Sequence, residues 1–167
     1  MSSTAGPTWL WGDMIMTLDD VIKTAVEQKY GVELQSEKPC GVANVVDFCG
    51  VIENDCQLLV ELERRREDPV NNVVKQWRQA HESGYQSAFR LIQVFSGFYQ
   101  RKLSKRQNAE FIGDRMNEWA QSHSKDICYY SVSFGFEPQA SNSHSMLEEA
   151  IETCIRKELL AQLPELP

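Results

Sequence analysis

Apolar residues recur along this chain mostly at helical spacing. Thr17 with Asp20 three residues on has the form of a capping box. Leu18, Val21, Ile22, Ala25 and Val26 follow on one face, and Gly31 ends the run. A first helix is predicted over about 13–30. Val42, Val45, Val46, Cys49, Ile52, Cys56, Leu59 and Val60 predict a long helix from Gly41 to about Arg66, with Gly50 inside it at a cost of ~1 kcal/mol. Asp68-Pro69 reads as an N-cap followed by proline at the first helical position. Val70, Val73, Val74 and Trp77 then share a face until Gly84 breaks the helix. Ala109, Ile112, Met116, Trp119 and Ala120 define the next helix, after a polar connection over 102–108. A last one carries Leu147, Ala150, Ile151, Cys154, Ile155, Leu159, Leu160 and Leu163, with Ser145 and Glu148 as a capping pair. Residues 1–8 read as a loose tail ahead of one domain over 9–167, with Trp9, Leu10 and Trp11 packed on its body.

Two segments depart from this rhythm. Between Glu82 and Tyr99, Ala88, Phe89, Leu91, Ile92, Val94, Phe95, Phe98 and Tyr99 are apolar on almost every face. A helix apolar all round is enclosed by others, so a central helix over about 85–101 is predicted. The run is shorter than the ~18–20 residues of a membrane span, and Arg90 interrupts it. A buried arginine needs a partner, either within the chain (Asp47 or Glu82) or on a ligand. In the second segment, Tyr130, Val132, Phe134 and Phe136 alternate with Ser131, Ser133 and Gly135, the period of a strand. No second strand is obvious to pair with it.

Composition narrows the function classes. A length of 167 residues with 42% hydrophobic and 25% charged content suits one globular domain, and the net charge of −7 argues against a dedicated nucleic-acid binder. Arg101, Lys102, Lys105 and Arg106 beside Phe98 and Tyr99 read as a solvated helix end, as does the trio Arg64, Arg65, Arg66. The five cysteines form no CxxC pair, which suggests reduced thiols rather than a disulfide framework. Met1 to Pro7 lacks the form of a signal peptide, and a cytoplasmic location is expected. No phosphate loop, HExxH or GxSxG motif is present, and His81, His123 and His144 stand far apart, so neither a metal, a cofactor nor an enzymatic activity is expected.

The stretch Glu82-Ser83-Gly84-Tyr85-Gln86-Ser87-Ala88-Phe89-Arg90-Leu91-Ile92-Gln93-Val94-Phe95 resembles the first homology region of the Bcl-2 apoptosis regulators. Gly84, Arg90 and the Leu-Ile-x-Val-Phe run match it; Ser87-Ala88-Phe89 departs from its Asn-Trp-Gly. Ala109-Glu110-Phe111-Ile112 and Glu118-Trp119 are similar to the second region, without its glycine-glycine-tryptophan. Val42 to Cys49 is similar to the third, with Asp47 at the acidic position and Val46 where a small residue is usual. The helix over 13–30 would be the counterpart of the fourth.

The resemblance implies an all-α helical bundle around a central hydrophobic helix. It also implies a surface groove that receives the homology-3 helix of a pro-apoptotic relative. Arg90 would meet the ligand's aspartate. Cys49, Ile52, Cys56, Val60, Val73, Val74, Trp77, Gly84, Ser87, Phe89 and Phe95 would line the groove. It further implies helix over 128–136, against the alternation. Degenerate motifs and no visible anchor look like an anti-apoptotic, viral-type homologue acting by sequestration, with peripheral association at the mitochondrial outer membrane. A pro-apoptotic pore-former of the same fold, and an unrelated helical scaffold or nucleic-acid-binding regulator, are the alternatives.

Overall fold

The apolar run from Phe89 to Phe95 is a β-strand, not a helix. The computed structural model describes residues 16–36, 45–82, 88–140 and 144–167. The order is α1 (Leu18–Tyr30), β1 (Gln35–Ser36), β2 (Phe48–Val51), β3 (Gln57–Glu63), α2 (Val70–Glu82), β4 (Phe89–Phe95), α3 (Leu103–Ser122), β5 (Ile127–Ser133) and α4 (Glu149–Gln162). The strands form one mixed sheet in the order β1-β2-β3-β4-β5. β1, β2 and β3 are antiparallel neighbours, whereas β3, β4 and β5 run parallel. The architecture is α/β, and the expected all-α bundle with a central helix is overturned.

The reason lies in β4. A parallel strand covered by helices on both faces is a continuous apolar run rather than an alternating one. A short run of that kind has the same residue pattern as a buried helical turn. All seven residues of β4 are buried, Arg90 and Gln93 included. The predicted helix from Gly41 to Arg66 fails in the same way. Its described part is β2, a short 3-10 turn at Glu53–Asp55 and β3. Asn54 and Asp55 adopt positive φ at that turn, which reverses the chain between the two strands.

Elsewhere local signals hold. Thr17 caps α1 through a reciprocal box with Asp20, and Gly31 closes the helix at φ 65° in the left-handed region. α2 follows Asp68-Pro69 as expected. α3 begins at Leu103, so the predicted connection over 102–108 is mostly helical. The alternation in the 128–136 segment does mark a strand, β5, against the helix implied by the resemblance. α4 is N-capped at Glu148 rather than Ser145. Residues 1–8, Trp9, Leu10, Trp11, Gly84 and Ser87 lie outside the described residues.

The sheet separates two cores. Leu58, Val60, Leu62, Ile92, Val94 and Val132 pack against α1 and α4 on one face. Cys49, Leu59, Phe89, Leu91, Phe95, Ile127 and Tyr129 pack against α2 and α3 on the other. Cys49 is disulfide-bonded, contrary to the expectation of reduced thiols, while Cys56, Cys128 and Cys154 are free. Among the described residues no helix is long and apolar enough to cross a membrane.

α3 approaches β5 closely where Gly113 faces the Tyr129 ring. A Cβ at 113 would lie 2.1 Å from a ring carbon. Alanine in a helix interior is worth ~1 kcal/mol over glycine, whereas overpacking costs typically ~1–3 kcal/mol. The ring is buried and anchored through its hydroxyl, so the second effect wins. Gly113→Ala should lower the urea midpoint, and an unchanged or raised midpoint would show that the helix can retreat at no cost.

Candidate functional site: a buried carboxylate cluster

β3 changes character along its length. Leu59, Glu61 and Glu63 alternate towards α2 and α3, while Leu58, Val60 and Leu62 face the opposite core. The carboxyl half of this strand therefore drives two carboxylates into the interior. Glu61 is 3% exposed and Glu63 0%. An isolated buried carboxylate costs several kcal/mol to desolvate, so the groups around these two decide what the site is.

Glu63 is held by side-chain amides. Its Oε1 accepts hydrogen bonds from Asn72 Nδ2 and Gln93 Nε2, each at 2.6 Å. Asn72 lies on the first turn of α2, and its Oδ1 accepts from Arg66 Nη1 at 2.8 Å. Gln93, the one polar residue of β4 facing α2 and α3, also donates to Pro69 O at 2.8 Å and accepts from Tyr129 Oη at 2.9 Å. A chain of contacts thus runs from Tyr129 on β5 through Gln93 on β4 to Glu63 on β3. Burial pushes the Glu63 carboxyl above its ordinary range, against the two amide hydrogen bonds that favour its charged form.

Glu61 has a cation instead. Lys75 Nζ stands 2.7 Å from Glu61 Oε1 and donates to Val45 O at 3.0 Å. Asp47 sits next to Glu61 across the β2–β3 ladder, since Phe48 pairs with Val60, and its Oδ2 accepts from Leu62 N at 2.7 Å. Burial raises the Glu61 carboxyl to about 7; Lys75 opposes this, and the charges of Asp47 and Glu63 add to it. One turn after Asn72, Gln76 is 1% exposed, and neither its amide nitrogen nor its oxygen has a hydrogen-bond partner. Glu63 Oε2 is buried without a partner as well. Native interiors leave few such atoms, so three of them beside a carboxylate with a raised pKa make this cluster the candidate site. The cluster lies at the carboxyl end of β3, near the start of α2, where open α/β sheets place their ligands. Among the described residues, no three His, Cys, Asp or Glu side chains are grouped to hold a metal ion.

The residues expected to line a helix-binding groove do not share a surface. Cys49, Val73, Phe89 and Phe95 are core beneath α2 and α3, with Trp77 partly buried against them. Val60 belongs to the opposite core, and Ile52 packs against its margin. Cys56 is buried beside the start of β3, and Val74 is exposed. Gly84 and Ser87 fall outside the described residues. Arg90 faces away from α2, at the amino end of β4. It pairs within the chain: Nη2 lies 2.7 Å from Asp126 Oδ1, and Nη1 donates to Asp126 O at 3.0 Å. Its internal partner is therefore Asp126, not Asp47 or Glu82. Glu61, Glu63, Lys75 and Gln93 were not singled out from the sequence. The available signal was the pair of acids at two-residue spacing inside Leu58-Leu59-Val60-Glu61-Leu62-Glu63, a strand-like rather than helical placement. No protein-family model, no curated protein and no solved structure matches this chain.

The raised carboxyl of Glu61 links stability to pH. Its unfolded-state value is near 4.5 and its folded value about 7. Between these the folded protein holds a proton that the unfolded chain has released, so stability falls as pH rises through that window and levels off above it. Glu63 shifts in the same direction. Glu61→Gln should therefore flatten the decline in melting temperature between pH 5 and pH 8, a range of about three units spanning this window. Superimposable slopes for the two proteins would contradict the assignment.

Proposed function

We propose that this chain is a hydrolase of phosphate esters, with Glu61, Lys75 and Asp47 at its reacting centre. The observation that carries the reading is the Glu61–Lys75 pair: a buried carboxyl titrating at about 7 against an ammonium at 2.7 Å. A general base works best when it titrates near the ambient pH. Glu61 can accept a proton from an attacking water under neutral conditions. Lys75, partly exposed beside it, can stabilise negative charge developing on a phosphoryl oxygen. Glu63 is a positioning residue, clamped by Asn72 and Gln93 beneath the site.

An anionic substrate would be repelled by Asp47 and Glu61 unless a cation stood between them. Mg²⁺ commonly takes only one or two protein carboxylates and completes its shell with water and phosphate oxygens. Asp47, whose Oδ2 accepts from Leu62 N, would offer its other oxygen as one such ligand, leaving Glu61 to act as the base. The net charge of −7 favours a small phosphate ester over a long nucleic-acid backbone as substrate. The earlier expectation of apoptosis regulation depended on a helical bundle with a groove, and with an α/β sheet in its place nothing in the architecture supports that reading.

Bis(p-nitrophenyl) phosphate and p-nitrophenyl phosphate should be hydrolysed at neutral pH in the presence of Mg²⁺ or Mn²⁺. EDTA should stop the reaction, and Glu61→Gln should slow it by about 10²-fold or more. Lys75→Met should reduce kcat with little change in KM, as expected when a transition-state contact is lost. No turnover of either ester with either ion would remove the proposal.

A further inference from the structure

β5 ends the sheet, so only one of its flanks is paired with another strand. The other flank presents N–H and C=O groups at every second residue, a template on which another chain can add a strand. Phe134 N donates to Phe95 O, so the even-numbered positions face β4 and the odd-numbered ones face outward. The strand itself, Ile-Cys-Tyr-Tyr-Ser-Val-Ser, contains no charge, no proline and no glycine. Sequences of that kind have strong β propensity and lack the residues that ordinarily prevent strand addition.

Two side-chain carboxamides occupy the open flank instead. Asn117 of α3 donates through Nδ2 to Tyr129 O at 3.2 Å, and its Oδ1 accepts from Tyr129 N at 2.7 Å. Gln162 of α4 donates through Nε2 to Ser133 O at 2.6 Å, and its Oε1 accepts from Ser133 N at 3.1 Å. Each amide makes the paired donor and acceptor contacts that a peptide group of an added strand would make. The two arrive from helices on opposite faces of the sheet and converge on one edge. Ser131 is the outward-facing position between them, and its side chain is turned to Glu110 Oε1 at 2.7 Å.

We infer that Asn117 and Gln162 are edge clamps that hold β5 closed against a second copy of this chain. The occupant follows from the spacing. Tyr129 and Ser133 lie symmetrically about Ser131, so an antiparallel copy of β5 would place Tyr129 opposite Ser133 in both directions around a two-fold axis at Ser131. The two positions the clamps now satisfy are among those that such a dimer would bond, with Ser131 bonding its own copy between them. The surface beside Tyr129 is concave, lined by Asn117, Gln121 and Lys125.

Analytical ultracentrifugation of the full chain and of Asn117→Ala/Gln162→Ala tests the inference. The double variant should self-associate at least about tenfold more tightly than the unaltered protein, ~1.4 kcal/mol per tenfold. Adding Ser131→Pro should reverse this, because proline is tolerated where an edge-strand N–H points outward but cannot donate to a partner strand. A double variant that associates no more than the unaltered protein overturns the proposal, and so does association that Ser131→Pro leaves intact. Should the double variant not fold, Gln162→Ala alone serves, since Gln162 is exposed. Its Ser133 amide should exchange hydrogen faster in dilute solution and its self-association should tighten. Unchanged exchange and unchanged association would overturn the clamp.

Discussion

Everything in this architecture depends on β4 being paired on both edges and covered on both faces. Its hydrogen bonds go to β3 and β5 along its whole length, so a segment with no exposed residue still satisfies its backbone polar groups. A buried helix would have solved the same problem alone. The strand solves it only with neighbours, which come from positions 32 residues earlier (Gln57 beside Phe89) and 38 residues later (Ile127 beside Phe89) in the chain. That parallel pairing requires α2 and α3 as crossovers and places them on one face. It leaves α1 and α4 to cover the other.

The same pairing creates the polar cluster. Because β3, β4 and β5 are aligned in register, Glu61, Gln93 and Ser131 stand side by side across the sheet, with Glu63 and Tyr129 one step away on the same face. Tyr129, Gln93 and Glu63 consequently connect three strands through side chains rather than backbone. A core of apolar residues at these positions would be at least as stable, since buried charges rarely repay their desolvation. Glu61 and Glu63 stand toward the carboxyl ends of the parallel strands, with a lysine and two incompletely partnered buried polar side chains nearby. By contrast, Arg90 occupies the other end of β4, where its two terminal nitrogens meet Asp126 and backbone carbonyls while Nε is buried without a partner. It closes the amino end of the sheet as a structural pair.

The edge of β5 shows the same economy. The two helices that flank the sheet each lend one amide to its open side, so the strand can remain short of charge and still be shielded. Covering an edge from outside leaves its inward side chains free to build the core. Tyr129 uses that freedom to reach Gln93 while its own backbone is held by Asn117.

Local chemistry was legible in the sequence wherever the decisive contacts are near neighbours. The Thr17–Asp20 box, the end of α1 at Gly31 and the start of α2 after Pro69 each depend on residues within a few positions and emerged as read, and the alternation of β5 marked a strand that the family resemblance had set aside for a helix. The resemblance to a helical family failed because an apolar run such as Leu91-Ile92-x-Val94-Phe95 satisfies a helix interior and a doubly covered strand equally well. Which of the two forms is a property of its partners, and β3 and β5 are distant in sequence. The carboxylate cluster was illegible for the same reason. Glu61 and Glu63 look like ordinary surface acids until the sheet places both beneath α2, and only then does burial, against the opposing charge of Lys75, raise the proton affinity of Glu61. The chain by itself determined the two ends of α1, the start of α2 and the alternation of β5. Tertiary pairing decided helix against strand, inside against outside, and therefore which charged residues could do chemistry.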